Sequence, residues 1–243
     1  MLYKLLIFLL FFFPHFFQAS ANQKIEQLLN HADSLFETQK YTQALETYQH
    51  ILHDQNFFNR PMLLKMAFTH ENVGDHTQAL YCLNLLYLKY PNKAILAKME
   101  ELAESEELIG YEYTDNEYFV SVYKKYYFHL MAALLVCSSL AIAYMIIRTK
   151  KKKRLGNWPL VVFLTLFLGL FFNNFDIVPT KAIIVNSHSL VMSAPSAASD
   201  AIAIVNKGHR VVVDKTTDVW CKIEWKGAPL YIRKNNLLFI NPN

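Results

Sequence analysis

Hydrophobic positions along the 243 residues change their spacing three times, and each change predicts a different kind of element. Leu5–Phe17 is an uncharged apolar run behind Lys4, ending at Ala19-Ser20-Ala21. From Ile25 to about Ile109, Leu, Ala, Gln, Glu and Lys recur at helical spacing, with turn breaks near Asn56–Pro61, Gly74-Asp75 and Pro91-Asn92. Two runs without Lys, Arg, Asp or Glu follow, Tyr127–Ile147 of 21 residues and Trp158–Phe175 of 18. After Pro179 the pattern shortens to strands: Ala182–Val185, Ser189–Met192, Ile202–Val205, His209–Val213, Trp220–Trp225, Leu230–Ile232 and Leu237–Ile240.

The two long runs approach the roughly 20 residues that cross a bilayer as helix. Between them lies a loop, 148–157, holding Arg148, Lys150, Lys151, Lys152, Lys153 and Arg154. Lys and Arg stay on the cytoplasmic side, so these six residues set the topology: loop inside, 22–117 and 181–243 outside. The first 21 residues read as a secretory signal, with a positive start, a short apolar core and cleavage after Ala21. An uncleaved anchor is the other reading of that segment. Aromatic Tyr123, Tyr126 and Tyr127 suit the outer interface and Trp158 the inner one. Ala133, Cys137 and Ala141 form a small face suited to helix packing.

Within 22–117 the chain repeats itself at an offset of 35: Leu28 with Leu63, Ala32 with Ala67, Ala44 with Ala79, Leu45 with Leu80. The two alanines of each unit fall on two antiparallel helices and allow close backbone approach, while Tyr48, Ile51, Leu83 and Leu86 fill the space around them. This pattern resembles the tetratricopeptide repeat, with Ala67, Gly74, Ala79, Leu83 and Pro91 at matching places. The first unit departs from it in carrying Gln39 where the turn glycine is usual. Lys93–Ile109 is expected as a third or capping helix. The resemblance implies a partner-binding surface.

The strand-rich segment carries Ser193-Ala194-Pro195-Ser196, Lys207-Gly208, Val211-Val212-Val213, Trp220-Cys221-Lys222-Ile223, Gly227 and Tyr231-Ile232. In that order these resemble the bacterial SH3 domain, which implies a small barrel. Met192 stands where that family usually has Arg, and Leu230-Tyr231-Ile232 where it has Gly-Trp-Val. Trp220 and Tyr231 are the candidate ligand- or partner-binding residues, weighed against ordinary packing of aromatic rings.

Charge sharpens this division. Residues 22–117 hold 7 Lys and Arg against 15 Asp and Glu, and 181–243 hold 8 against 4, so the net +4 describes neither part. The basic loop reads as a topology mark facing anionic lipid, and no nucleic-acid role is assigned. The acidic run Glu100, Glu101, Glu104, Glu106 and Glu107 is either a site for a basic partner or a solvated helix face. His50 and His53 have a spacing compatible with metal, but two histidines alone assign no site. Cys82, Cys137 and Cys221 read as small buried hydrophobes, not as a disulfide framework. No phosphate loop, metalloprotease motif or nucleophile–base arrangement is present in the sequence, so no catalytic residue and no cofactor is expected.

The expected fold class is therefore a multidomain membrane protein: all-α tetratricopeptide-type repeats, a two-helix transmembrane hairpin and a small all-β SH3-like barrel. That order resembles the BatE-type proteins of the bacterial aerotolerance operon. The resemblance implies a non-enzymatic scaffold on the outer face of the bacterial inner membrane. Its implied partners are other membrane and periplasmic proteins, von Willebrand A-type ones among them. The alternative is an envelope sensor that binds peptidoglycan peptides through the SH3-like domain.

Overall fold

The computed structural model describes residues 23–151, 157–173 and 179–240. The proposed signal and its cleavage position after Ala21 lie outside the described residues, as do Lys152, Lys153 and Arg154. The fold mixes helices with one antiparallel sheet.

The helical part comprises α1 (residues 23–37), α2 (Tyr41–Asp54), α3 (Arg60–Asn72), α4 (His76–Lys89) and α5 (Lys93–Ser105). The 35-residue offset recurs in the backbone. Lys40 N donates to Leu35 O and Asp75 N to His70 O, both at 2.9 Å; Gln39 N donates to Phe36 O at 3.0 Å and Gly74 N to Glu71 O at 3.1 Å. Each set closes a helix with one left-handed residue, Gln39 at φ 61° and Gly74 at φ 77°. Gln39 thus takes the turn position in the first unit despite its side chain. The four alanines at 32, 44, 67 and 79 are all buried, so the pairs α1/α2 and α3/α4 meet where the spacing placed small residues. Side chains cap the later starts: Asn59 Oδ1 accepts from Met62 N and Asn92 Oδ1 from Ala94 N, both at 2.9 Å. Asp75 caps α4, whereas Lys40 at the start of α2 has no side-chain cap.

α6 (Asp115–Lys150) and α7 (Trp158–Asn173) run antiparallel, joined by the packing of Tyr144 on Trp158, 4.6 Å between centroids, and by Ser138 Oγ 3.0 Å from Thr165 Oγ1. The face turned to α7 is that of the buried Ser138; Cys137 and Ala133 on the expected small face are exposed. Lys125–Lys150 is one helix long and apolar enough to cross a membrane, and almost none of its apolar stretch is buried. This corrects the expectation of two spans among the described residues. α7 has 16 residues, a rise of about 24 Å against a hydrocarbon core of about 30 Å. The remainder of the expected second span, 174–175, lies outside the described residues.

The sheet is formed by β1 (Thr180–Ile184), β2 (Ser189–Met192), β3 (Ala201–Val205), β4 (Arg210–Thr217), β5 (Trp220–Trp225), β6 (Ala228–Arg233) and β7 (Leu237–Phe239). Its order is β3-β2-β6-β5-β4-β1-β7, antiparallel throughout. Lys226 and Gly227, at φ 50° and 79°, make the two-residue turn between β5 and β6. Each strand coincides with one of the seven runs read in the sequence, but the expected barrel is not closed. β3 and β7 remain unpaired ends of the order. The last strand has three residues, and Leu238 and Ile240 pack into the helical core, which takes that edge away from β3.

Candidate functional site

The most heavily built constellation among the described residues lies where the sheet docks on the helices. α4 prepares it: its residues from Ala79 to Tyr87 are buried without interruption, which requires cover on more than one side. One side meets the paired helices. The sheet contributes to another, since Ile183 and Ile240 belong to the same apolar cluster as α4 and α5.

Arg210, at the start of β4, is 5% exposed. Its Nε donates to Gly110 O at 2.6 Å and its Nη1 to Asn84 Oδ1 at 3.0 Å and to Tyr113 Oη. The guanidinium also lies 4.8 Å from the ring centroid of Tyr111 and 4.4 Å from that of Tyr113. A buried cation is costly unless paired, and two aromatic faces with three acceptors offset that cost. The backbone joins in. Arg210 N donates to Ile109 O at 3.1 Å, Tyr111 Oη to Gly208 O at 2.7 Å, and Ile109 N to His209 Nδ1 at 3.1 Å. Gly110 has φ 90°, and a Cβ there would stand 2.0 Å from Arg210 O, so only glycine fits.

Burial governs the titration of this joint. It pushes the Tyr113 phenol up to about 12 although Arg210 pulls the other way, and it raises Tyr111 as well. Lys181 is lowered by burial and then by the charge of Arg210, while its bond to Glu117 opposes both. His209 is lowered by burial and by Lys226. The joint is an inter-element lock, with its cation held between phenols.

Trp220 and Tyr231, the residues singled out from the sequence, lie elsewhere. Trp220 pairs with Arg233 and Lys222 with Tyr231 across β5 and β6. Strand alternation puts these four on one face, opposite the buried Cys221, Ile223 and Ile232. Both rings are half-buried, and the Arg233 guanidinium is 5.6 Å from the Trp220 ring centroid. Trp225 is the tryptophan that enters the core, its ring edge-on to His209. Arg148 and Lys150 fall in the last turn of α6, where cations suit the helix C-terminus, and Lys151 follows directly.

The remaining candidates distribute as follows. In the acidic run, Glu106 meets His76 at 3.2 Å, Glu101 meets Lys98 at 3.3 Å, and Glu100 accepts from Tyr113 N at 3.2 Å, so part of the run is used within the chain. His50 bonds to Asp54 one turn along α2. Cys82 and Cys221 are buried and free even though their modules dock, whereas Cys137 is exposed rather than buried.

The joint escaped sequence reading because Arg210 and Asn84 are polar residues 126 positions apart. The available signal was the uninterrupted apolar character of α4 around Asn84. A scan against models of known protein families finds no match, and no curated protein matches the chain.

Proposed function

We propose that the protein is a non-enzymatic, membrane-anchored scaffold. Its tetratricopeptide-type helical repeats and its SH3-like sheet are held side by side on the outer face of a bacterial inner membrane, in an envelope complex of the aerotolerance type. The observation that carries this reading is the Arg210 joint: the sheet and helices act as one presenting surface instead of two loosely tethered modules. Lys181 Nζ meets Glu117 Oε2 at 2.9 Å, so the chain enters α6 and returns after α7 at the same end of the hairpin. The exposed apolar side chains along α6 support a lipid-facing anchor. Holding both surfaces on one membrane makes a second partner's binding effectively intramolecular, which raises avidity without new contacts.

Crosslinking the full-length protein in its own membrane, with identification of the captured chains, tests the scaffold. Defined membrane or periplasmic proteins captured by both modules are expected; a well-folded protein that captures none overturns it. A second reading, a sensor of peptidoglycan peptides, is favoured by the half-exposed Trp220–Arg233–Tyr231 face. Saturable muropeptide binding by the full-length protein, lost on Trp220→Ala with the fold intact, would establish the sensor in its place.

A further inference from the structure

The two ends of the sheet are treated very differently. Edge strands expose unpaired backbone groups, and proteins usually shorten, charge or cover them. β7 is three residues long and adjoins the helical core. β3 is neither that short nor covered, and its one irregularity is a bulge at Ile202, where the register passes from Val191↔Ala203 to Met192↔Ala201. Its sequence, Ala201-Ile202-Ala203-Ile204-Val205, contains no charge and no proline, and β2 is its one partner in the sheet. Ile202 is 56% exposed and Ile204 66%, and Leu190, paired with Ile204 on β2, is 47% exposed. The register from Ser189↔Val205 to Val191↔Ala203 is regular, so this half of the strand presents a straight edge.

We propose that β3 is a self-association edge, through which two copies of this chain pair antiparallel about Ala203. A twofold axis at Ala203 sets Ile202 of one copy opposite Ile204 of the other, twice, and extends the row across Leu190 on both sides. Residues opposite each other in antiparallel strands share a face, so the exposed aliphatic side chains of the two copies become one covered cluster. Charge complements the geometry. Asp200 precedes the strand and Lys207 follows it, both exposed. Antiparallel pairing brings Asp200 of each copy beside Asn206-Lys207 of the other, whereas parallel pairing would set like charges together. The surface is self-complementary, as a twofold interface requires.

The test uses the full-length protein in detergent and in its own membrane. Sedimentation, corrected for bound detergent, should give twice the chain mass, and Ile204→Lys should return it to one chain mass with an unchanged circular dichroism spectrum. Ile202→Lys should do the same. In a Cys137→Ser background, Ala203→Cys should form a disulfide-linked dimer on mild oxidation in the membrane, because the axis places each Ala203 opposite its own copy. A wild-type protein of one chain mass at every concentration overturns the proposal. So does a dimer that survives both lysine variants, or an Ala203→Cys protein that links to a different protein. If the lysine variants alter lipid association and leave the mass unchanged, the edge belongs to the bilayer and the proposal fails.

Discussion

Arg210 Nη1 lies 3.0 Å from Asn84 Oδ1, joining the first residue of β4 to the middle of α4. Neither side chain has an ordinary reason to be buried alone. Together with Tyr111, Tyr113 and the Gly110 carbonyl they satisfy one another, and the sheet cannot lift from the helices without stranding them.

Truncation at this point is therefore expensive. Arg210→Ala strips Gly110 O of its donor, leaves Asn84 Oδ1 only the longer bond from Tyr113 Oη at 3.4 Å, and removes a cation from between two rings. A loss of about 3 kcal/mol is expected, in the range for breaking a buried charged network. Arg210→Lys recovers little of it, because an ammonium lacks the planar fork that reaches several acceptors and stacks on phenols. Thermal unfolding of the three proteins checks this; near-identical midpoints would show that the joint contributes nothing.

Two glycines with positive φ separate strain from sterics. Gly74 has open space where a Cβ would stand, so Gly74→Ala costs only the left-handed backbone penalty, about 1 kcal/mol. Gly110→Ala adds a collision with Arg210 O at 2.0 Å. It should lower the midpoint further than Gly74→Ala and open the segment from Ile109 to Tyr113 to protease. Equal effects would place the strain in the turn conformation alone.

The first repeat is the less finished of the two, and two substitutions copied from the second should improve it. Lys40→Asp places a side-chain acceptor where Asp75 caps α4, worth about 1 kcal/mol. Gln39→Gly relieves the left-handed position that Gly74 occupies in the second unit, by about 0.5–1 kcal/mol. The positions form one turn, so the double variant need not be additive. A rise in the midpoint for each single variant is the expected result, and a fall in both would mean that the turns are not equivalent.

That equivalence was legible from residues alone, because a repeat offset of 35 copies hydrophobic identity and backbone bonding together. The strands were legible for a related reason: apolar runs between turn residues mark them whichever neighbours they choose. Neighbour choice was not legible. Sheet order depends on long-range pairing, so a barrel was expected where β7 instead leads Ile240 into the helical core. Nothing singles out Arg210 and Asn84 in the sequence, because polarity there does not show which polar groups will find each other. Trp220 was noticed for its ring, but the ring that fills the core is Trp225, and the two differ only in strand parity.

Acid should loosen the structure through two histidines. His70 is buried and His209 partly so, and burial holds both below the usual 6.5, with Asp75 opposing for His70 and Lys226 adding for His209. The unfolded chain then takes up protons near pH 6.5 that the folded chain refuses. Stability is thus fully present above that value and declines as pH falls through it toward the folded pKa. Protonation at His209 Nδ1 also removes the acceptor for Ile109 N. The unfolding midpoint measured from pH 7.5 down to 5 should fall, and less steeply in a His70→Asn, His209→Asn double variant. An equally steep fall in that variant would assign the acid sensitivity to other groups.

The contact of Lys181 with Glu117 carries a topological consequence. One residue lies just inside the start of α6 and the other just after the return from α7, yet their side chains meet at 2.9 Å. If α6 crosses a membrane, as proposed, the chain between Lys151 and Lys181 returns to the side it left, which puts the helical part and the sheet on one side and Lys151 at the far end of α6. In a Cys137→Ser background the remaining Cys82 and Cys221 are buried and silent. Leu64→Cys on α3 and Val219→Cys before β5, both at exposed positions, should react with an impermeant maleimide added from the outer face of the intact membrane. Lys151→Cys should react only after the membrane is opened. Labelling of Leu64→Cys and Val219→Cys from different sides would contradict the docked arrangement. Labelling of all three from outside would mean that α6 does not cross, and the anchor reading would have to yield to a helix lying on the surface.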